Sequence, residues 1–334
     1  MHKKTLAKFR NYLFLLIFFL VVPAASNAQT APSTATTYPA RPIRLIVPQG
    51  AGGTTDIISR ITAQRMSVQM NQQIVIDNRT GAGGTIGVEI AANAAPDGYT
   101  LTLSATSTHA LNPSLRKVPY HPLRDFEAVS LVATTPYVLV VHSTFAANSA
   151  AELIKLVRAK PGVIQYASAG NGTMPHMTAE LFKSMAKLDM QHVPYKASPA
   201  ALADVLGGRV PVYFAGVPST LPHIKANRIR ALGVTSLKRS VALPDLPAIS
   251  EQVVPGYEAV PWIGLVAPAK TPADIIARLN RELATALAVP EVRDQLQAQG
   301  AESSPSTPGA HAAYIANELK KWGKVITDIG VKMD

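Results

Sequence analysis

Apolar positions along this chain follow two alternating rhythms. Short β-branched runs at 43–47, 74–77, 100–104, 129–133, 138–141, 165–167, 210–214, 229–234 and 263–267 read as strands. The longer stretches between them carry apolar residues every three or four positions, as amphipathic helices do. Strand and helix in alternation predict an α/β fold with a mainly parallel sheet. Ser149, with Glu152 three residues on, makes a capping box for a helix reaching Lys160, and Pro161-Gly162 stops it. Thr271-Pro-Ala-Asp274 opens a helix whose Ile275, Leu279, Leu283 and Leu287 form one buried stripe. A last helix over about 308–327 buries Ile315, Leu319, Trp322 and Ile326 in the same way.

Three of the strands run into a Gly-rich loop that opens a helix: Arg44-Leu-Ile-Val-Pro-Gln-Gly-Ala-Gly-Gly-Thr-Thr-Asp56, Ile74-Val-Ile-Asp-Asn-Arg-Thr-Gly-Ala-Gly-Gly-Thr-Ile-Gly87 and Gln165-Tyr-Ala-Ser-Ala-Gly-Asn-Gly-Thr173. Such loops aim backbone N–H groups and the positive end of a helix dipole at whatever sits above the strand ends. Three of them predict a shared cleft for an anionic small molecule. The segments Pro136-Tyr-Val-Leu-Val-Val141 and Pro261-Trp-Ile-Gly-Leu-Val-Ala267 read as extended connections with Pro at the edge, and two such crossings between two domains make a hinge. The expected division is 38–137 with 263–334 as one domain and 138–262 as the other.

Residues 1–28 have the layout of a cleavable secretory signal, with Lys3, Lys4, Lys8 and Arg10 ahead of an apolar run from Tyr12 to Val22 and a small-residue cleavage site ending at Ala28. That predicts an exported mature protein. The small polar stretch 29–37 reads as a disordered spacer. Losing the leader's four basic residues takes the net charge from +11 to +7. The basic residues are scattered and no aromatic-interleaved basic run exists, which argues against nucleic acid. Cysteine is absent, so no disulfide or Cys-based metal site is available.

Nucleotide and catalytic motifs are missing. Gly50-Ala-Gly52 and Gly81-Ala-Gly83 have Thr55 and Ile86 where a dinucleotide loop needs its third Gly, and no Gly-x4-Gly-Lys-Ser/Thr occurs. Tyr166-Ala-Ser168-Ala-Gly170 lacks the first Gly of a nucleophile elbow. The eight histidines show no metal-binding spacing. His176 is placed either to reach the cleft or to satisfy a backbone carbonyl, His109 and His223 to make structural hydrogen bonds, and Asp56 and Asp204 to serve helix starts or loops. No cofactor and no metal are expected, and no base is paired with a nucleophile.

Seven ordered motifs carry a resemblance: Pro42-Ile-Arg-Leu-Ile-Val-Pro-x3-Gly-Gly-x2-Asp56, Asn78-Arg-x-Gly-Ala-Gly-Gly-x-Ile-Gly87, Ala95-Pro-Asp-Gly-Tyr-Thr-Leu101, Tyr166-Ala-Ser-Ala-Gly-Asn-Gly-Thr173, His192-Val-Pro-Tyr-Lys196, Leu221-Pro-His-Ile-Lys225 and Arg230-Ala-Leu-x-Val-Thr-Ser236. From about Tyr38 to Asp334 the chain resembles the substrate-binding proteins of tripartite tricarboxylate transporters, the Bug family. The resemblance implies a type II periplasmic-binding fold, two α/β domains joined by two crossing strands with a ligand cleft between them. It further implies a monomeric, non-enzymatic receptor that delivers a small carboxylate to membrane permease subunits; a role presenting the closed form to a membrane sensor, and an exported hydrolase-like enzyme using Ser168 or His176, are the alternatives.

Carried over by position, the ligand is expected to meet Gln49, Gly52, Gly53, Thr54 and Asp56 of the first loop and Gly83, Gly84 and Thr85 of the second. Thr106 and Ser107 are expected to add hydroxyls, with Ala169, Gly170, Asn171, His176, Ala215 and Gly216 meeting the ligand's distal end. Two departures from many relatives stand out. Gln49 replaces a Phe, and Ala215 replaces an Asp. The lost carboxylate would remove a partner for a ligand ammonium group and point to a mono- or dicarboxylate, aliphatic or aromatic, rather than an amino acid.

Overall fold

The computed structural model describes residues 38–330; the expected leader and spacer lie outside them. The chain opens with β1 (Ile43–Val47), α1 (Thr54–Met70), β2 (Ile74–Asn78), α2 (Thr85–Ala92) and β3 (Thr100–Ala105). A π-helical turn, Thr106–Leu111, leads into α3 (Asn112–Leu115) and β4 (Phe126–Thr134). The chain then crosses to a second body: β5 (Tyr137–His142), α4 (Ala150–Ala159), β6 (Gln165–Ser168), α5 (Met174–Ala186), β7 (Gln191–Pro194), α6 (Ser198–Leu206), β8 (Val212–Gly216), α7 (Val217–Lys225), β9 (Ile229–Val234) and α8 (Ile249–Gln252). It returns through β10 (Trp262–Pro268), α9 (Ala273–Ala288), α10 (Pro290–Ala298), β11 (Glu302–Ser303) and α11 (Pro308–Ile329).

Two sheets result, ordered β11-β4-β10-β3-β1-β2 and β7-β6-β8-β5-β9. This is the two-sheet α/β architecture of a type II periplasmic-binding fold. The pairing is mixed, however, rather than mainly parallel. β1 with β2 and β3, and β6 with β7 and β8, are parallel, whereas every antiparallel pair includes β4, β5 or β10. Those are strands that enter or leave a crossing, so they run against the βα units they join. Tyr137 pairs with Gly216 in the second sheet and Trp262 with Thr134 in the first, so each crossing comes before the residue at which the sequence put it.

Both faces of each sheet are covered. On β1, Ile43, Leu45 and Val47 pack toward α1 and α9 while Ile46 packs with Val88 and Trp262 on the other face. A strand covered on both faces is nearly all apolar, and here only Arg44, paired with Asp77, breaks the run. The stripe Ile275, Leu279, Leu283 and Leu287 of α9 is buried as expected. On α11, Ile315, Trp322 and Ile326 are buried but Leu319 is only half-buried, because Glu318 turns inward. Its Oε2 accepts both indole N–H groups of the chain, Trp262 at 3.0 Å and Trp322 at 3.1 Å. Ser149 caps α4 by accepting from Glu152 N–H, and the Glu152 carboxylate reaches back one residue further than a capping box requires, to Asn148 N–H.

The two crossings are tied together. Thr135 N–H donates to Pro261 O, and buried Thr235 accepts from Tyr137 N–H at 2.8 Å and donates to Ala259 O at 2.7 Å. One apolar cluster joins Ala110, Leu111, Trp322 and Ile326 of the first lobe to Leu139, Phe182, Phe214 and Tyr257 of the second.

Candidate functional site

Between the lobes lies a cavity of about 520 Å³, floored by Thr135, Tyr137, Pro261, Trp262 and Ile263 of the crossings. Helix starts surround it. Gly53 and Thr54 bring the start of α1, Gly83 and Gly84 the turn before α2, Thr106 and Ser107 the π-helical turn, Thr173 and Met174 the start of α5, and Ala197 and Ser198 the start of α6. None of these starts is closed by a side-chain cap; α7 to α10 are uncapped as well, and among the described residues only α4 and α11 carry caps, from Ser149 and Thr307. Uncapped helix starts leave N–H donors and positive dipole ends available to an anion.

Of the residues expected at the site, the structure brings Gln49, Gly53, Thr54, Gly83, Gly84, Thr106, Ser107, Ala169, Gly170 and Asn171 together around this cavity. Thr106 Oγ1 accepts from Trp262 N–H at 2.9 Å and Ser107 Oγ from Gln49 Nε2 at 3.3 Å, which leaves both hydroxyl protons able to donate into the cavity. Gln49 Oε1 is buried without a partner and is a further acceptor.

Six expected residues stand behind the lining. Asp56 is buried, and its carboxylate accepts from Gly52 N–H at 2.8 Å, Arg60 Nε at 2.9 Å and Asn78 Nδ2 at 3.0 Å. Burial raises its pKa, but these donors outweigh it and hold the carboxyl below the usual range. Asp56 therefore shapes the first loop, as its alternative role at a helix start anticipated. Gly52 faces Pro199 outside the cavity, and Thr85 Oγ1 is taken by Asn112 Nδ2. His176 accepts from Gly172 N–H through Nδ1, a donor rather than the carbonyl the sequence offered. Ala215 packs with Val138, Ala167 and Val205 in the core of the second lobe, because alternation along β8 turns it away from the cleft. An inference about ligand charge from Ala215 therefore has no footing here. Gly216 is an interlobe contact, since a Cβ on it would lie 1.8 Å from Thr54 Oγ1.

Under the third loop three rings stack. His192 lies 4.9 Å from Tyr166 and 4.1 Å from His176, centroid to centroid. Glu180 accepts from Tyr166 Oη and pairs with Lys183 Nζ at 2.7 Å. Ser168 Oγ sits 2.6 Å from His192 Nε2 and accepts from Gly170 N–H at 3.0 Å. The pair looks catalytic in outline, yet Ser168 is fully buried and does not line the cavity, so its hydroxyl supports the loop. Burial pushes the His192 imidazole down to about 4, with His176 adding to the effect.

Sequence reasoning missed the cavity's two cations. Lys196 stood in the quoted His192-Val-Pro-Tyr-Lys196 motif without a role, and Arg116, after the Asn112-Pro113 turn, carried no local signal at all. Among the described residues that line the cavity, Arg116 and Lys196 are the only charged ones, and no Asp or Glu is present. No group of acidic, His or Cys residues able to hold a metal occurs among the described residues.

Comparison with known proteins gives one consistent answer. The family model "Tripartite tricarboxylate transporter family receptor" matches residues 58–331. The protein BugT of Bordetella pertussis is 38% identical over 311 residues, 92% of this chain and 95% of BugT. The solved structure of Rhodopseudomonas palustris Rpa4515 with adipate superposes with a TM-score of 0.86 at 35% identity, covering 88% of this chain and 99% of that one. MatC of the same organism, with bound malate, gives 0.82 at 30%, covering 86% and 100%.

Proposed function

The chain belongs to the tripartite tricarboxylate transporter receptor family, which includes the Bug proteins, and on that premise we propose that it captures a small mono- or dicarboxylate by closure of the cleft. It delivers this ligand to a tripartite-type membrane permease and catalyses no reaction. The single observation that carries the ligand class is the lining: two cations and several uncapped helix starts against no carboxylate. An amino acid would bring an ammonium group with no acidic partner in the cavity, a desolvation cost without return. Similar structures hold adipate and malate, both of which fit about 520 Å³.

Affinity in the micromolar range needs about −8 kcal/mol. A helix end alone gives roughly 0.3–1 kcal/mol, so buried hydrogen bonds and apolar contacts closing from both lobes supply the rest. Export through a leader cleaved after Ala28, periplasmic residence, a monomeric state and closure about the two crossings belong to the same proposal. A thermal-shift and calorimetric panel of succinate, malate, adipate, benzoate, glutamate and glucose tests it. A ligand at 100 times its Kd should stabilise the protein by about 2.7 kcal/mol. Stabilisation by an acid without an amino group supports the proposal; response only to glutamate or glucose, or turnover of the bound acid, overturns it.

A further inference from the structure

Arg116 is a cation whose surroundings are incomplete. It is half-buried at the cavity wall. Its Nη2 donates to Ala82 O at 2.8 Å and to Asn112 Oδ1 at 3.1 Å, which uses both hydrogens of that nitrogen. Asn112 in turn donates to Gly83 O at 2.9 Å, so the guanidinium and the second Gly-rich loop are held as one unit. The loop is shaped for this. Gly83 has φ +65°, and a Cβ there would lie 2.8 Å from Arg116 Nη2. The rest of the guanidinium has nothing to hold: Nε is buried without a partner, and Nη1 has no hydrogen bond among the described residues.

Several other arginines of the same lobe are neutralised by a carboxylate. Arg41, Arg44, Arg60 and Arg79 each meet an aspartate. An ion withdrawn from water without a counter-charge is costly, and the cost is recovered when an anion arrives. The guanidinium is also fixed before any ligand binds, so little side-chain entropy remains to be lost. Lys196, the other lining cation, is exposed and lacks this preorganisation.

We propose that Arg116 is the specificity-determining residue of the cleft, its open Nη1 edge pairing with a ligand carboxylate that the second Gly-rich loop also faces. Arg116 thereby makes the site select an ionised acid over the uncharged amide of the same shape. The inference rests on the carboxylate reading above and assigns a residue to it.

The test is calorimetry on the full mature protein with the tightest-binding acid among succinate, malate, adipate and benzoate, and with the corresponding uncharged amide. Arg116→Gln should weaken the acid about 10- to 100-fold, as expected for a hydrogen bond to a charged group. Binding of the amide should change less than about 3-fold, so the acid-to-amide ratio collapses. Arg116→Lys keeps the charge but gives up the Nη2 bonds to Ala82 and Asn112 that fix the group, and should retain only part of the ratio. Parallel losses for acid and amide would mean that Arg116 only props the loop, and an unchanged acid affinity would mean that it does not touch the ligand; either overturns the assignment. Should Arg116→Gln fail to fold, Arg116→Lys decides instead: weaker binding of the acid with the amide unchanged supports the proposal, and equal losses for both, or no loss, sink it. Failure of the wild type to bind any of the acids is a different result, and would remove the carboxylate reading itself.

Discussion

Asp56, His176 and His192 act from behind the cavity rather than within it. Asp56 converts a Gly-rich loop into a fixed one, since its carboxylate takes Gly52 N–H, Arg60 and Asn78 together. Asp56→Ala leaves those donors without an acceptor, and chemical denaturation should show a loss of roughly 1–3 kcal/mol, with weaker ligand binding as the first loop loosens. An unchanged midpoint would show that the loop is held by other contacts. The buried histidines set a separate dependence on pH. Burial lowers the imidazoles of His109 to about 3 and of His192 and His311 to about 4, and lowers His176 as well. Each is therefore neutral in the folded protein, while the unfolded chain takes up protons near pH 6.5. The unfolded state binds more protons in this window, so stability is complete above about pH 7 and falls as the pH drops from about 6.5 towards 4. Asp56 and Asp77, whose carboxyls are held low, lose their contribution only below that, as pH falls through the unfolded carboxyl range near 4. Melting curves from pH 7.5 to 4 should thus decline well before carboxylates titrate. His192→Asn should flatten the upper part of the decline, and a wild-type profile level down to pH 4.5 would contradict it.

At the scale of elements, the two lobes meet where β8 runs into α7 opposite the start of α1. Gly216 closes β8 directly against Thr54 at the start of α1, and a Cβ there would overlap Thr54 Oγ1 at 1.8 Å. Gly216 has an ordinary extended backbone, φ −64° and ψ 136°, so Gly216→Ala adds bulk without backbone strain. The variant should fold normally but hold the lobes apart, weakening ligand affinity by 10-fold or more, and Thr54→Gly in the same chain should restore part of it. Independent losses that merely add would show that the two residues are uncoupled. This contact shows where sequence reasoning reaches its limit. Strands such as 43–47 and 229–234 were legible because each is a short apolar run broken only by one arginine, and helices α4 and α9 because caps and stripes are local signals. Strand β7, half-exposed with Gln191 and Pro194 at its ends, and the two-residue β11 offer no such pattern. The Gly-rich loops announced where the cleft would form, but not which residues on them face it. That is decided by strand alternation, which buries Ala215, and by side chains such as Arg116 that arrive from distant loops.

For the whole molecule, the question is what stays fixed while the cleft responds. The apolar cluster joining the lobes borders the cavity through Tyr137 and Met174, but its Trp322, Phe182, Phe214 and Tyr257 do not line it, and Thr235 ties the crossings beside it. The chain has only two tryptophans, one on each side of this division. Trp262 lines the cavity and donates its backbone N–H to Thr106 Oγ1, whereas Trp322 is packed in the cluster, and Glu318 accepts from both indoles. The Trp262 ring is fully buried with Val88 and Ile315, but the residue borders the cavity, so a ligand there acts on the ring through its immediate neighbours. The packing around Trp322 should change little, since a dense cluster resists deformation. Titration with a binding acid should therefore alter the intrinsic fluorescence of the wild type and of Trp322→Phe, and leave Trp262→Phe nearly silent although calorimetry still detects binding. A full response in Trp262→Phe would place the moving part in the apolar cluster, and the two lobes would then repack against each other on closure rather than pivot about the crossings.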